Sequence, residues 1–356
     1  MKGTKGLWLK DYKQSKFILW ALWLVSLYIP IKVVNEIQHL NVAIQFWKES
    51  GERNPFEYHL YWNNTDVAFL QILVVLILAC TLIGLERTNQ SMDLTLSLPF
   101  KRQTIMLTKW LLGVINIIGA TIVSIVAAVI LLSNSLLIDY MDSGILWYYG
   151  LVSIFVLIGV YTFALLIGFM GASVISQFVF SVIFLLFPMG MAMLIDEFFN
   201  YHWEALGLGH FYLPNVIYSL FEHISFPIQL LLLDHRINGF LHGYVNGPNQ
   251  LGLEPLIVPV IVTIVGLGLI MYFSKAMKSE NNGKILVYEK FQPVLKVGVF
   301  VCFYLLGGAI FPSFIYNYNE SPHVITYHIG GLLLALIVSF IVSKLLGTRF
   351  LLGKRS

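Results

Sequence analysis

The chain has 356 residues, of which 58% are hydrophobic and only 12% charged. Soluble domains carry about 25% charged residues, so this composition excludes a water-facing surface of ordinary size, and the apolar residues fall in the long runs that a bilayer requires. The net charge of +3 comes from Lys and Arg scattered along the chain rather than gathered on one face, which argues against a nucleic-acid partner.

The first segment carries Lys2, Lys5, Lys10, Lys13 and Lys16, with Trp8 and Tyr12 four residues apart. That pattern predicts an N-terminal interfacial helix over residues 1–16, its lysines reaching anionic headgroups. The apolar stretch from Phe17 to Val34 is longer than a signal-peptide core and precedes no small-residue cleavage site, so it is expected to stay as a first span. Eight spans follow from hydropathy, at 17–35, 67–86, 111–137, 145–170, 177–196, 255–275, 294–316 and 325–346. Each is long enough to cross about 30 Å of hydrocarbon at about 1.5 Å per residue. The fold class expected is all-α: a polytopic membrane protein with about eight transmembrane helices.

Two long segments, 36–66 and 197–254, separate spans. The second is dense in aromatic residues, including Phe198, Tyr201, Trp203, Tyr212 and Phe221, and suits short helices at the membrane interface. Pro188 within the fifth span is a candidate kink.

Orientation follows from the basic residues. Of the 22 Lys and Arg, 18 fall in the N-terminal segment, between spans two and three, around residues 275–296 and at the C-terminal end. The alternate segments hold only Lys32, Lys48, Arg53 and Arg236. Both termini are therefore expected in the cytoplasm, with 197–254 outside.

Several chemistries are missing. Gly283-Lys284 and Gly353-Lys354 lack the upstream Gly and the following Ser or Thr of a phosphate-binding loop. There is no His-Glu-x-x-His pattern. Cys80 and Cys302 lie inside apolar runs and read as small buried hydrophobes. His202, His210, His223, His235 and His242 are irregularly spaced, which reads as interfacial histidine rather than a metal cluster. Glu86, Lys109, Asp139, Asp196, Lys296 and His328 all sit near span ends, leaving no acid or histidine at mid-membrane to relay an ion gradient. No catalytic residues, metal or cofactor are expected on this chain, and energy for transport must come from elsewhere.

The stretch from Glu86 to Lys109 between spans two and three is too short for a domain and too patterned for a plain loop. Thr88 or Asn89 can cap a short helix. Leu94 and Leu98 share one face of it, and Pro99 ends it. A short rigid helix of this kind suits seating in a cleft on a partner, although a simple turn with basic anchors explains the same spacing.

Glu86, Leu94, Leu96, Ser97, Leu98, Pro99, Arg102, Ile105 and Lys109 together resemble the type-2 family of ABC transporter permeases. In that family the segment is a coupling helix that contacts a cytoplasmic ATPase, and the basic N-terminal segment is similar to the family's elbow helix. The resemblance implies a six-helix permease core over 17–275. Residues 276–356 would add a cytoplasmic linker and two further helices, as in a Gram-positive bacterial branch. Ser279, Glu280, Gly283, Lys284, Leu286 and Tyr288 would form that branch's second cytoplasmic segment. Also implied are a bacterial plasma-membrane location, ATP and Mg on the partner ATPase, and a second permease copy or a related permease. The implied activity is export of an amphipathic or apolar substrate. A gradient-driven carrier, an intramembrane enzyme and a non-transporting sensor or immunity subunit are the alternatives.

Overall fold

The computed structural model describes residues 5–51, 56–170, 173–242, 251–275, 292–315 and 324–346. All regular structure among them is helical. Among the described residues seven helices are long and apolar enough to cross a membrane, and the apolar stretch Lys296–Pro312 is a shorter eighth. The chain is thus an all-α polytopic membrane protein. Hydrocarbon offers no partner for a backbone N–H or C=O, so long apolar runs close their hydrogen bonds internally as helices. The chain divides into two compact units.

The first unit is built from residues 1–82, 98–166 and 226–277. It begins with α1 (Lys5–Ser26) and α2 (Tyr28–Ser50), followed by α3 (Thr65–Ala79) and a π-helical turn, Cys80–Gly84, whose first residues belong here. The expected boundary between an interfacial helix ending at 16 and a span starting at 17 does not exist: α1 runs through it without interruption. The interruption comes at Leu27, and Pro30 explains it. Proline has no N–H, so the carbonyl four residues earlier, that of Ser26, loses its helical donor. The Ser124 hydroxyl donates to that carbonyl instead. The buried side chain of Gln71 donates to the Ser26 hydroxyl at 3.0 Å, tying α3 to the same point.

Ser124 belongs to α6 (Arg102–Ser133), the long helix on which α1 and α2 pack. Helix α6 starts at Arg102, well before the expected start of the third span at 111. Most of α7 (Ser143–Met170) lies in this unit. Where α7 passes α6, the Tyr161 ring takes the space a side chain would need at Gly113: a Cβ there would meet it at 2.2 Å. Short helices α10 (Phe226–Leu231) and α11 (Leu233–His242) and the span α12 (Glu254–Lys275) complete the unit. Helix α12 packs on α6, and α10 packs on α3.

The second unit comprises residues 83–97, 167–225 and 278–356. It holds the short helices α4 (Leu85–Thr88) and α5 (Met92–Leu96), the span α8 (Val174–Ala205), α9 (Asn215–Ile224), and the pair α13 (Gln292–Ile315) and α14 (Val324–Leu346). Helix α8 is capped by Ser173, whose hydroxyl accepts from the Ser176 N–H. Pro188 does not end α8. Just past it, the Met189 N–H donates to the buried Ser225 hydroxyl at 2.8 Å, so the disturbed ladder is satisfied from outside the helix. Helices α13 and α14 cross backbone to backbone. A Cβ on Gly307 would meet the Gly330 carbonyl at 2.6 Å, and one on Gly331 would meet the Tyr304 carbonyl at 2.5 Å. Small residues at such a crossing allow the close packing that holds helices together in lipid.

Candidate functional site

The segment between α3 and α6 divides sharply by exposure. Its first part, in the second unit, is buried: Glu86, Arg87 and Thr88 are at most 4% exposed. Helix α4 is pressed against the start of α8, where a Cβ on Gly84 would lie 2.8 Å from the Val174 Cα. The Thr88 hydroxyl donates to the Gly84 carbonyl at 2.8 Å and accepts from the Val174 N–H at 2.9 Å. Glu86, expected as part of the segment that contacts the ATPase, is thus packed inside the chain rather than on the exposed part of that segment. It belongs to the packed support of that segment.

A turn through Gln90, in left-handed geometry at φ 58°, leads into α5. Within α5, Met92 and Thr95 point inward, at 1% and 2% exposed, while Leu94 stands out at 74%. The helix stops at Leu96, three residues short of Pro99. The Ser97 hydroxyl donates to the Leu94 carbonyl at 2.9 Å, an alternative to the helical ladder that closes the last turn.

Residues from Leu98 onward belong to the first unit. Leu98 lies beyond α5 rather than on its face, and Leu98, Pro99, Lys101 and Arg102 are all exposed. Arg102 Nη1 lies 3.5 Å from the Lys275 carbonyl and Gln103 donates to the Met271 carbonyl at 3.1 Å. These bonds tie the start of α6 to α12.

Lys109 is the clearest correction. It is fully buried, and its ammonium lies 2.9 Å from the Asp11 carboxylate on α1, itself 2% exposed at the side chain. The Tyr161 hydroxyl donates to the Lys109 backbone carbonyl at 2.7 Å. A charge near a span end reads from sequence as a surface anchor. Here the partner sits 98 residues away, and two opposite charges are taken out of solvent together. Asp11 was missed as a site residue; the signal available was one acid among five lysines in the first sixteen residues.

A second polar constellation joins the start of α3 to α11. The Asp234 carboxylate accepts from the Asn64 N–H at 2.5 Å and from the Thr65 hydroxyl at 2.7 Å. It thereby supplies the cap that the Asn64 side chain does not. Asn238, one turn on, accepts from the Trp62 N–H at 2.8 Å and donates to the Trp62 carbonyl at 2.7 Å. Burial pushes the Asp234 carboxyl above its ordinary range, opposed by its bonds from Thr65 and Asn64. Nearby, burial and then the Glu36 carboxylate push the Tyr58 phenol up to about 12.

The outer histidines do not converge. His210 faces Glu204, His223 bonds Ser219, and His242 lies beside His59, while His202 pairs with His328. Among the described residues no group of three or more metal-binding side chains comes together. Ser279, Glu280, Gly283, Lys284, Leu286 and Tyr288 lie outside the described residues.

Residues 58–233, just short of half the chain, match the family described as ABC-2 family transporter protein. The match supports an ABC-2-type permease. The ABC-2 region runs from the residues before α3 to the first residue of α11. It contains Asn64 and Thr65, helix α5 and the whole of α6, α7 and α8, while Asp234 lies one residue beyond it. An ABC-2-type permease is a membrane transport subunit rather than an enzyme in itself. No curated protein and no solved structure matches the chain.

Proposed function

We propose that this chain is the membrane subunit of an ATP-driven exporter in a bacterial plasma membrane, energised by a separate cytoplasmic ABC ATPase that carries the ATP and Mg. The observation that carries this reading is Leu94, a large apolar side chain 74% exposed on a short helix whose other face is buried, within the ABC-2 region. A short helix with a packed inner face and one projecting leucine suits a cleft on a partner. Leu98, Pro99 and Arg102 extend the exposed part of the segment. The 18 to 4 distribution of basic residues puts this segment, together with both termini, on the cytoplasmic side. ATP-driven closure of two ATPase subunits would move the segments of two permease copies, or of this chain and a related permease, around a central path. The apolar or amphipathic cargo rests on the resemblance to the ABC-2-type permeases.

The test is association with a soluble ABC ATPase co-expressed with this chain. Replacing Leu94 and Leu98 by Ser should leave membrane insertion and thermal stability in detergent unchanged. Apolar interface anchors commonly contribute about 2 kcal/mol or more, so ATPase recovered per inserted permease should fall by roughly tenfold or more. Undiminished recovery with normal transport sinks the docking reading.

A further inference from the structure

Within the second unit, one chain of hydrogen bonds crosses three helices. His202 Nδ1, in the last turn of α8, lies 2.7 Å from the Phe198 carbonyl. His202 Nε2 lies 3.4 Å from His328 Nε2 on α14. His328 Nδ1 lies 2.5 Å from the Tyr304 hydroxyl on α13. The Phe198 carbonyl can only accept, so His202 carries its proton on Nδ1 and its Nε2 accepts. His328 must then donate from Nε2, and its Nδ1 takes the Tyr304 hydroxyl proton. With both rings neutral, every site in the chain is matched by one arrangement of protons.

One added proton is accommodated without moving a heavy atom. His202 becomes a donor at Nε2, His328 accepts there, and its own proton passes to Nδ1, where the Tyr304 oxygen accepts it. The single positive charge sits among aromatic rings: the Phe198 ring is 4.2 Å and the Tyr327 ring 5.1 Å from that of His202. Such rings favour a cation. A second proton would set two Nε2–H groups and two cations against each other across 3.4 Å. Among the described residues, the titratable groups around the pair include Tyr201 and Glu197 on α8, Tyr304 on α13 and Tyr327 on α14. Glu204, also on α8, faces His210 instead.

We propose that His202 and His328 together form a one-proton site that acts as an acid sensor, tying α14 to α8 while it holds no proton or one and releasing it when a second binds. Both residues lie at the helix ends that the basic-residue distribution puts outside the cell, so the pH sensed is the external one. His202 belongs to the ABC-2 region and His328 lies beyond it. The pair therefore gives the added helices α13 and α14 a role, which is to clasp α8 in neutral medium and let go in acid. The site stands apart from ATPase docking and survives the failure of that reading.

The sign follows from proton counting. An unfolded chain offers both imidazoles to protons, while the folded arrangement of donors and acceptors accommodates one. Stability should therefore fall with acidification by a further tenfold in the folded-to-unfolded ratio per pH unit. Thermal unfolding of the full chain in detergent between pH 8 and pH 5 reads this. The wild type should lose stability more steeply than His202→Gln or His328→Gln, which lack the second imidazole. Tyr304→Phe removes the acceptor that the first proton needs, so its loss should begin at higher pH than in the wild type. Identical pH profiles for all four proteins overturn the proposal. Should a Gln variant fail to insert, nitrogen-15 spectra of the histidine-labelled chain decide it independently. His223 Nδ1 also lies against a carbonyl, that of Ser219, so the spectra are taken on a His223→Gln chain. At neutral pH they should still contain an imidazole in the less common Nδ1–H form, and its absence also overturns the proposal.

Discussion

Lys109 and Leu94 belong to the same short stretch of sequence, and the structure treats them in opposite ways. The charged residue is fully buried and the apolar one stands 74% exposed. In a soluble protein that inversion would signal an error. Here each half has a reason. Lys109 is buried because α1 brings Asp11 to it, and the pair is stable only as a pair. Leu94 is exposed because α5 uses its inward positions for Met92 and Thr95 and has one side left over. Within a membrane protein, charge therefore marks internal joints as readily as surface, and the uncovered side of α5 is the one on which the proposed ATPase docking rests.

The contrast is broken most severely at the joint. Lys109→Met should remove the cation facing the Asp11 carboxylate in a site closed to solvent and destabilise the chain by about 3–5 kcal/mol. Adding Asp11→Leu should recover most of that loss, because two apolar groups of similar volume replace the pair. Thermal unfolding in detergent, with inserted protein quantified for each variant, measures it. A double variant no more stable than the single one would show that the pair is not a closed unit.

A smaller effect sharpens the other half. Met92→Ala removes a buried side chain and should cost about 2–5 kcal/mol, whereas Leu94→Ala should stay within about 0.5 kcal/mol. Equal losses at the two positions, read by the same thermal unfolding, would mean that α5 has no free face, and the proposed docking would lose the rigid inner side it rests on.

The smallest effect concerns the cap on α3. Asp234→Ala should destabilise the chain by about 1 kcal/mol, the usual contribution of a cap. The pH dependence has a definite sign. The folded carboxyl is held above its ordinary range, so the folded state keeps a proton that the unfolded state has already lost. Its contribution is full below the ordinary carboxylate range and declines as pH rises through the raised one. Asp234→Asn should remove that decline, read as a flatter stability profile on the acid side of neutrality.

Much of the fold was legible in the sequence because it is a local property. Hydropathy over some twenty residues marks a span whatever its neighbours are, and lipid makes the span helical. Among the described residues the expected spans fall on helices, although α6 starts earlier than its apolar run. Polar residues such as Gln103 and Thr104 continue a helix as well as apolar ones, so the fall in hydropathy does not mark the helix end. Glu86 and Lys109 show the limit of reading a site locally. Their positions near span ends are the same whether they face a partner or the interior, and only packing separates the two cases.

What the sequence determined by itself is that this chain lives in a membrane as a set of helices, with its basic residues concentrated in alternate segments and one patterned segment between the second and third spans. What the tertiary structure decided is which polar groups meet. Asp11 finds Lys109 across 98 residues, Asn64 finds Asp234 across 170, and His202 finds His328 across 126. Helical periodicity sets the face on which each residue lies, but the neighbour that face meets depends on how the helices assemble. In a medium where every helix is equally apolar, that choice is made by close packing and by a few such polar pairs, neither of which leaves a signal within one segment.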